Sequence, residues 1–309
     1  MHTSPHHQPP AFGHFVAVDW SGAKGPRLPG LQVATCQPGH QAPRLIRPPN
    51  KSLWTRTTVW QHIVQMAEIQ GPVLAAFDMG LGLPYMDCDR YFPGLKSSPP
   101  NAESLWQQVD QQCQQSADFY AGPFCQPPSK FAPYFNAPGY RGPRFDIQRC
   151  RVTEQVCRQW TRPSSVFNGV GAGSVGLGSL AGMRLLHHVT RTPISLNVAI
   201  WPFEAVTTQT DIVIVEMFPR LYALQAKTDP RSWRQPNFLP TVLKFYDVQK
   251  RSRTRLATED EMDAYFSAAA LRHLAAHASV WNPPQMTPLA AGYEGWIFGV
   301  HEHFLRRTE

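Results

Sequence analysis

Three short runs of apolar residues in this chain each end in a carboxylate. They cover residues 15–19, 73–78 and 212–216, and their last residues are Asp19, Asp78 and Glu216. A nearly continuous run of small and branched apolar residues is typical of a strand that is buried on both faces of a sheet. An ionised side chain at the end of such a strand is costly unless a cation compensates its charge. Three such carboxylates predict one shared positive charge that neutralises them, and a divalent metal ion is the simplest source of it.

A fourth acidic cluster opens the segment 259–272, which has the composition of a helix that begins at Glu259. Asp260 and Asp263 are three residues apart, so they lie on one face of that helix. Strand-end carboxylates that face such a pair form an all-oxygen site suited to Mg²⁺ or Mn²⁺. Each acid alone is explained more simply as a helix cap or as a partner of an arginine. The combination of all four favours a metal site.

The alternation of side chains along a strand predicts how these carboxylates are oriented. Residues 15, 17 and 19 share one side of their strand, residues 74, 76 and 78 are related in the same way, and residues 212, 214 and 216 are expected to repeat that phase. The three acids would then emerge together at the carboxyl edge of the sheet, where open α/β sheets commonly build their sites.

A site of this kind can hold two cations about 4 Å apart, which activate a water molecule and stabilise the leaving oxygen of a phosphodiester. Asp19 would bridge both ions, Asp78 or Glu216 would hold one, and Asp263, aided by Asp260, would complete the other. The predicted catalytic residues are therefore Asp19, Asp78, Glu216 and Asp263, and Asp260 is a further predicted metal ligand.

The order of the other patterns predicts a mixed sheet. Residues 15–20, 31–36 and 43–47 have strand character, residues 57–70 carry apolar side chains at helical spacing, and residues 73–78 form the next strand. Three strands in succession, followed by a helix and another strand, indicate a meander and then a crossover. The predicted fold class is α/β, with a mixed sheet flanked by helices.

Proline density divides the chain into regions. Residues 93–163 contain many prolines around one glutamine-rich helical stretch, which predicts an inserted cap or lid packed on the core rather than an independent domain. Residues 1–12 are expected to form a disordered tail. Residues 13–92 and 164–304 are then the core.

Positive charge indicates a polyanionic partner. The chain has 29 Lys and Arg against 22 Asp and Glu, a formal net charge of +7. Arginines alternate with aromatic residues in the segment 140–162, a composition that suits nucleic acid through phosphate contacts and base stacking. A solvated arginine-rich surface explains this segment equally well. The candidate nucleic-acid-binding residues in this and a second basic segment are Arg141, Arg144, Arg151, Lys250, Arg251 and Arg253.

Residues 169–182 are rich in glycine and contain one Gly-x-Gly-x-x-Gly match at Gly171, Gly173 and Gly176. A dinucleotide-binding loop would be answered by an acid about 20 residues later, and Asn197 stands in that region instead. A tight turn that leads into a helix explains the pattern more simply. A phosphate cradle at the start of that helix is the alternative.

Other features place limits on the compartment. No stretch approaches the roughly 18 apolar residues of a membrane span, and the first residues show no signal peptide. The six cysteines include no Cys-x-x-Cys pair, so reduced thiols are expected and a zinc site is not. A cytoplasmic protein without a membrane partner is predicted.

Several of these pieces also resemble a known family. The chain is similar to the ribonuclease H-like superfamily, particularly its Holliday-junction resolvase branch. It resembles more closely the predicted RNase H-like nuclease family called domain of unknown function 429. The matching pieces are Val18-Asp19-Trp20-Ser21-Gly22-Ala23, Phe77-Asp78-Met79-Gly80-Leu81-Gly82-Leu83-Pro84, Val215-Glu216-Met217-Phe218-Pro219 and Asp260-Glu261-Met262-Asp263-Ala264. One departure is Gly80, where the family usually has a proline.

The resemblance implies a ribonuclease H-like fold, a Mg²⁺ or Mn²⁺ site at the matched acids, and hydrolysis of phosphodiester bonds in nucleic acid. Two other functions stay open. A non-catalytic nucleic-acid-binding or scaffold protein could keep the same fold. An actin-like or sugar-kinase-like phosphotransferase shares the core fold, but it would have a phosphate-binding hairpin rich in glycine and threonine after the first strand, which residues 21–25 imitate poorly.

Overall fold

A six-stranded mixed sheet forms the centre of the protein. The structure is a computed structural model, and it describes residues 7–25, 27–48, 53–249 and 254–301. The strands are β1 (His14–Asp19), β2 (Gln32–Cys36), β3 (Arg44–Ile46), β4 (Val73–Phe77), β5 (Asn136–Ala137), β6 (Tyr140–Arg141), β7 (Val198–Ile200) and β8 (Ile212–Glu216). The order in the large sheet is β3-β2-β1-β4-β8-β7, while β5 and β6 pair separately.

The strand directions confirm the predicted fold class. β1, β4, β8 and β7 run parallel to one another, and β2 and β3 extend the sheet in an antiparallel meander beyond β1. A parallel neighbour requires a crossover connection, whereas antiparallel neighbours need only a turn. The protein is therefore α/β with a mixed sheet flanked by helices, which is compatible with a ribonuclease H-like sheet.

Helices cover both faces of this sheet. They are α1 (Arg56–Gln70), α2 (Ala102–Gln112), α3 (Val152–Cys157), α4 (Gly176–Arg191), α5 (Pro219–Gln225), α6 (Phe238–Phe245), α7 (Glu259–Ala275), α8 (Ala278–Trp281) and α9 (Pro288–Glu294). The start of α1 is fixed by reciprocal hydrogen bonds between Thr55 and Thr58, a capping box. The predicted helix over residues 57–70 is thereby confirmed.

Alternate strand residues divide the core into two layers. Val16 and Phe77 pack in the layer that contains α1, α2 and α4, whereas Ala17 and Ala76 pack in the layer that contains α5, α6 and α7. Both faces of the central strands are therefore covered by apolar helix surfaces. This is the reason that the strand sequences read as nearly continuous apolar runs.

Glu216 has the opposite phase from the one that the sequence pattern predicts. Ile212 and Ile214 lie in the layer with Val16 and Phe77, and Glu216 is in register with Phe77. The prediction is wrong because β8 is apolar at every position before Glu216. Alternation along such a strand does not say which face each residue occupies, and only the pairing register decides it.

Most of the segment 93–163 packs on the sheet layer that contains α4, whereas Cys157 of α3 packs in the layer that contains α7. Leu105, Trp106 and Val109 of α2 are buried in the same apolar cluster as the strand residues, and α2 lies directly against α4. The end of the segment returns to the carboxyl end of β8 through Arg151. Within the described residues, no helix combines the length and the apolar character that crossing a membrane requires.

Candidate functional site

A cleft of about 740 Å³ opens at the sheet edge where β1, β4 and β8 end. Asp19, Asp78 and Glu216 line this cleft together with Asp260 and Asp263 from the first two turns of α7. The three strands are parallel and adjacent, so their last residues reach the same edge. The five acids that the sequence predicts as metal ligands therefore border one cleft.

Asp19, Asp78 and Asp263, the aspartate trio, come from two strand ends and one helix. Asp19 ends β1, and Asp78 directly follows β4, where its backbone N–H donates a hydrogen bond of 3.0 Å to the carbonyl oxygen of Val18. α7 packs against β1 and β2 and brings Asp263 toward the strand ends. In the described part of the chain, neither a basic side chain nor a hydrogen-bond donor contacts these three carboxylates.

Burial and mutual repulsion raise the pKa values of the aspartate trio. Burial, with a smaller contribution from the charge of Glu216, raises the pKa of Asp78 to about 7. Burial and then the charges of Asp78 and Asp263 hold the pKa of Asp19 well above its usual range. The pKa of Asp263 is raised by burial, by Asp78 and by acids in the first turn of α7. A divalent cation would relieve this repulsion.

Glu216 differs from the aspartate trio because it has a cationic partner. Nη1 of Arg151 donates to Oε2 of Glu216 at 2.7 Å, and Nη2 donates to Oε1 at 2.6 Å. The backbone N–H of Leu81 donates a further hydrogen bond of 3.2 Å to Oε2. Two parallel bonds of this kind make a strong and directional pair. The Arg151 and Glu216 side chains are 1% and 5% exposed, so the pair is buried.

The N–H donors of the Arg151 guanidinium are all used inside the protein. Besides the two bonds to Glu216, Nε and Nη2 donate to Oε1 of Glu154 at 3.0 and 2.9 Å, and Nη1 donates to the carbonyl oxygen of Glu294 at 3.2 Å. A guanidinium has five N–H donors, and these contacts occupy them. This contradicts the prediction that Arg151 binds nucleic acid, because no donor remains for a phosphate.

Two other predicted nucleic-acid-binding residues, Arg141 and Arg144, do not line the cleft. Arg141 is exposed and lies over the ring of Phe145, 5.2 Å from its centre. Arg144 is also exposed, and its Nη1 donates a hydrogen bond of 2.8 Å to the hydroxyl oxygen of Tyr134. Three further candidates fall outside the residues that the structure describes, namely Lys250, Arg251 and Arg253.

Three arginines outside the list of predicted nucleic-acid-binding residues line the cleft, namely Arg162, Arg220 and Arg231; Arg162 belongs to the arginine-rich segment 140–162. Arg162 follows α3 and Arg220 lies in the first turn of α5; both are exposed and have no ion-pair partner among the described residues. Arg231 is exposed as well, but it pairs with Asp229 at 2.9 Å. The sequence contained one signal for Arg220, since it stands four residues after Glu216, the end of a predicted strand.

The glycine-rich segment forms one wall of the cleft. Residues 172–175 line it, as do Leu177 and Gly178 in the first turn of α4. Gly171 and Gly173 have φ angles of 94° and 69°, so the chain turns tightly before the helix. The predicted tight turn into a helix is confirmed, and α4 begins without a side-chain cap. The phosphate cradle at this helix start stays a prediction.

Two further glycines allow the loops after β1 and β4 to approach α4. A Cβ atom on Gly22 would overlap the backbone of Leu177 and Gly178. The backbone N–H of Gly80 donates a hydrogen bond of 2.8 Å to Oγ of Ser179. A proline at position 80 would lack this donor. Gly80 therefore makes a hydrogen bond that the proline usual in the resembled family could not make.

The ligand groups of the cleft are not arranged around one point. No group of three or more His, Cys, Asp or Glu side chains in the described part of the chain could hold a metal ion in its present arrangement. Metal binding at the aspartate trio would therefore require side-chain rotation.

Comparisons of the chain with protein-family models, with curated proteins and with solved structures found no match. The resemblance to the RNase H-like nuclease family stays a prediction.

Proposed function

We propose that this protein is a nuclease that hydrolyses phosphodiester bonds of nucleic acid with Mg²⁺ or Mn²⁺ at the aspartate trio. One observation carries the proposal. Asp19, Asp78 and Asp263 border a single cleft and have no cationic partner among the described residues. Their charges repel one another, and structural roles such as helix capping or ion pairing do not account for them. A cation-binding role accounts for all three together.

The donor chemistry of the aspartate trio fits a hard divalent cation. Mg²⁺ and Mn²⁺ prefer carboxylate oxygens, and Mg²⁺ commonly retains several water ligands, so a few carboxylates at an open cleft are sufficient. Asp19 and Asp78 directly follow Val18 and Phe77, which are paired in adjacent parallel strands, so the two side chains leave neighbouring strand ends. A bound ion of this class would activate a water molecule and stabilise the developing charge on a leaving oxygen.

Positive groups at the rim of the cleft supply binding for the phosphates of the substrate. Arg162 and Arg220 are exposed and come from different parts of the chain. Unpaired guanidinium groups bind phosphate oxygens through parallel hydrogen bonds. Backbone N–H groups at the start of α4 add a positive electrostatic contribution beside them. The phosphodiester is thereby held near Asp19 and Asp263, which is the positioning that hydrolysis requires.

The test is a cleavage assay on labelled DNA, RNA, a DNA–RNA hybrid and a four-way junction, each with Mg²⁺ or Mn²⁺. At least one substrate should be cut. The substitutions Asp19→Asn and Asp263→Asn should each lower the rate by at least about a hundredfold, since they remove charge at the reacting phosphate. Glu68→Gln, which changes an exposed acid of α1, is the matched control and should have no effect. Undiminished cleavage by an Asp19→Asn, Asp263→Asn double variant would overturn the mechanism.

Nucleic-acid binding without catalysis is the second candidate. It is favoured by the finding that, within the described residues, no three potential ligands are already arranged around one point. Efficient metal enzymes usually hold their ligands in place through supporting contacts. Salt-dependent binding of nucleic acid, with no cleavage of any of the four substrates in Mn²⁺, would support this second candidate instead.

A further inference from the structure

Arg151 occupies the place that the two-metal prediction assigned to a cation at Glu216. Both carboxylate oxygens of Glu216 accept hydrogen bonds from the guanidinium, at 2.7 and 2.6 Å. Both side chains also line the cleft that the aspartate trio borders. The strand-end acid of β8 is therefore compensated by a group of the protein itself, whereas those of β1 and β4 are not.

The guanidinium is held on its other side as well. Oε1 of Glu154 accepts hydrogen bonds from Nε and Nη2 of Arg151, and Oε2 accepts one of 2.9 Å from the Arg151 backbone N–H. Oε2 of Glu294 accepts a bond of 2.7 Å from the backbone N–H of Val152, which anchors the start of α3. Moving Arg151 away would leave buried donors and two buried carboxylates without partners, which is strongly unfavourable.

We propose that the cleft binds a single divalent ion, at the aspartate trio, and that the Arg151 guanidinium supplies the second positive charge permanently. This inference rests on the proposed metal site. A divalent ion at Glu216 would have to displace Arg151 or lie against its like charge.

Glu216 is then a positioning residue and not a metal ligand. Glu216 is the last residue of β8, and its ion pair with Arg151 attaches the end of the segment 93–163 to that strand. When the metal ion leaves the cleft, the Arg151 guanidinium stays and continues to neutralise the charge of Glu216. A second metal ion in its place could dissociate and leave that charge unneutralised.

Metal counting tests the inference directly. Isothermal titration calorimetry with Mn²⁺, together with electron paramagnetic resonance of bound Mn²⁺, should give one ion per wild-type chain. Glu216→Gln should also bind one ion, with a Kd within about threefold of wild type, whereas Asp19→Asn should weaken the Kd at least about tenfold. Circular dichroism on each variant verifies that it is folded.

Removal of the Arg151 guanidinium tests the inference from the other side, because it should create a second ion site and not remove one. Arg151→Met frees the carboxylate of Glu216 and should allow a second, weaker Mn²⁺ ion to bind. Arg149→Met is the matched control, because Arg149 pairs with Asp87 away from the cleft lining, and it should still bind one ion. If Arg151→Met does not fold, the Glu216→Gln and Asp19→Asn comparison decides the question alone.

The outcomes separate this inference from the proposed function. Two ions per wild-type chain, with one of them lost in Glu216→Gln, would overturn the inference and leave a metal-dependent nuclease in place. A wild-type chain that binds no Mn²⁺ would overturn both. One ion in wild type and in Glu216→Gln, with weakened binding in Asp19→Asn, is the result that we expect.

Discussion

Nε1 of Trp20 donates a hydrogen bond of 3.1 Å to the carbonyl oxygen of Gly178, which joins the residue after Asp19 to the first turn of α4. Gly22 packs against the same turn so closely that a Cβ atom on it would overlap Gly178. The loop that follows β1 is thereby attached to the glycine-rich start of the helix. This attachment lies directly beside Asp19, the last residue of β1.

We expect Gly22→Ala to destabilise the protein. The added Cβ meets helix backbone, which cannot move aside as a flexible side chain could, and overpacking of this kind typically costs about 1–3 kcal/mol. Gly292→Ala is the matched control, since Gly292 is exposed in α9 with open space around it, and the free energy of unfolding should change by less than about 1 kcal/mol. Urea unfolding of both variants measures the difference, and equal effects would contradict the packing argument.

The sheet and the convergence of the acids were predictable from sequence. Each relevant strand is a short apolar run with a polar end, and parallel neighbours place such ends at one edge of a sheet. Asp19 and Asp78 therefore appear where the pattern puts them. Asp263 follows from helical spacing, because α7 begins at Glu259 and packs beside β1.

The polar partners were not predictable in the same way. Arg151 and Arg162 belong to one arginine-rich segment, yet Arg151 is buried with two glutamates and Arg162 is exposed at the cleft. Composition is the same for both, and only long-range packing separates them. The phase of Glu216 also required the pairing register of β8 with β4, which a uniformly apolar strand does not encode locally.

The stability of the metal-free protein should fall as the pH rises from about 4 to about 7. The folded-state pKa of Asp78, about 7, exceeds its ordinary value of 3.8, so between these values the folded protein binds a proton that the unfolded chain has released. The stabilisation that this bound proton gives the folded protein is thus fully present below the ordinary pKa of Asp78 and is lost as the pH rises through its folded-state pKa. Asp78→Asn should reduce this loss by on the order of 2–4 kcal/mol.

Urea unfolding in the presence of a chelator, repeated across this pH range for wild type and Asp78→Asn, measures the loss. Glu68→Gln serves as the control, because its exposed carboxylate lies on α1 and not in the cleft. The same pH slope in wild type and Asp78→Asn would show that Asp78 does not carry the linkage.

Mn²⁺ at millimolar concentration should raise the melting temperature, because an ion that binds only the folded state stabilises it by mass action. The increase should be larger at about pH 8 than at about pH 5, since protonated carboxylates are poor ligands and metal binding must displace the protons. Asp19→Asn should reduce the increase, and Glu68→Gln should not. An identical melting curve with and without Mn²⁺ at the higher pH would count against the site.

Removal of the buried guanidinium should be among the most destabilising single changes in this region. Arg151→Ala leaves Glu154 and Glu216 buried without their cation, a loss of about 3–5 kcal/mol. Arg141→Ala removes an exposed arginine over the ring of Phe145 and should cost less than about 1 kcal/mol. Adding Glu216→Gln to Arg151→Ala should recover part of the loss, and a double-mutant cycle from urea unfolding gives the coupling.

Nucleic-acid affinity should depend on the arginines that line the cleft. Arg162 and Arg220 are exposed and have no ion-pair partner within the described residues, so they are free to contact phosphates. Arg162→Ala and Arg220→Ala should each weaken binding and reduce the slope of log affinity against log salt by about one unit. Fluorescence anisotropy with labelled single strands, over a series of salt concentrations, measures both quantities.

Other variants test whether the cleft arginines are the nucleic-acid contacts. Arg231→Ala should have a smaller effect than Arg220→Ala, because Arg231 already pairs with Asp229. Asp19→Asn should leave the salt slope unchanged, since an acid at the reacting phosphate contributes to chemistry and not to counterion release. Unchanged slopes in an Arg162→Ala, Arg220→Ala double variant would move the nucleic-acid contact away from the cleft. Loss of affinity in Arg141→Ala, without any effect of the double variant, would place it on the exposed part of the segment 140–162.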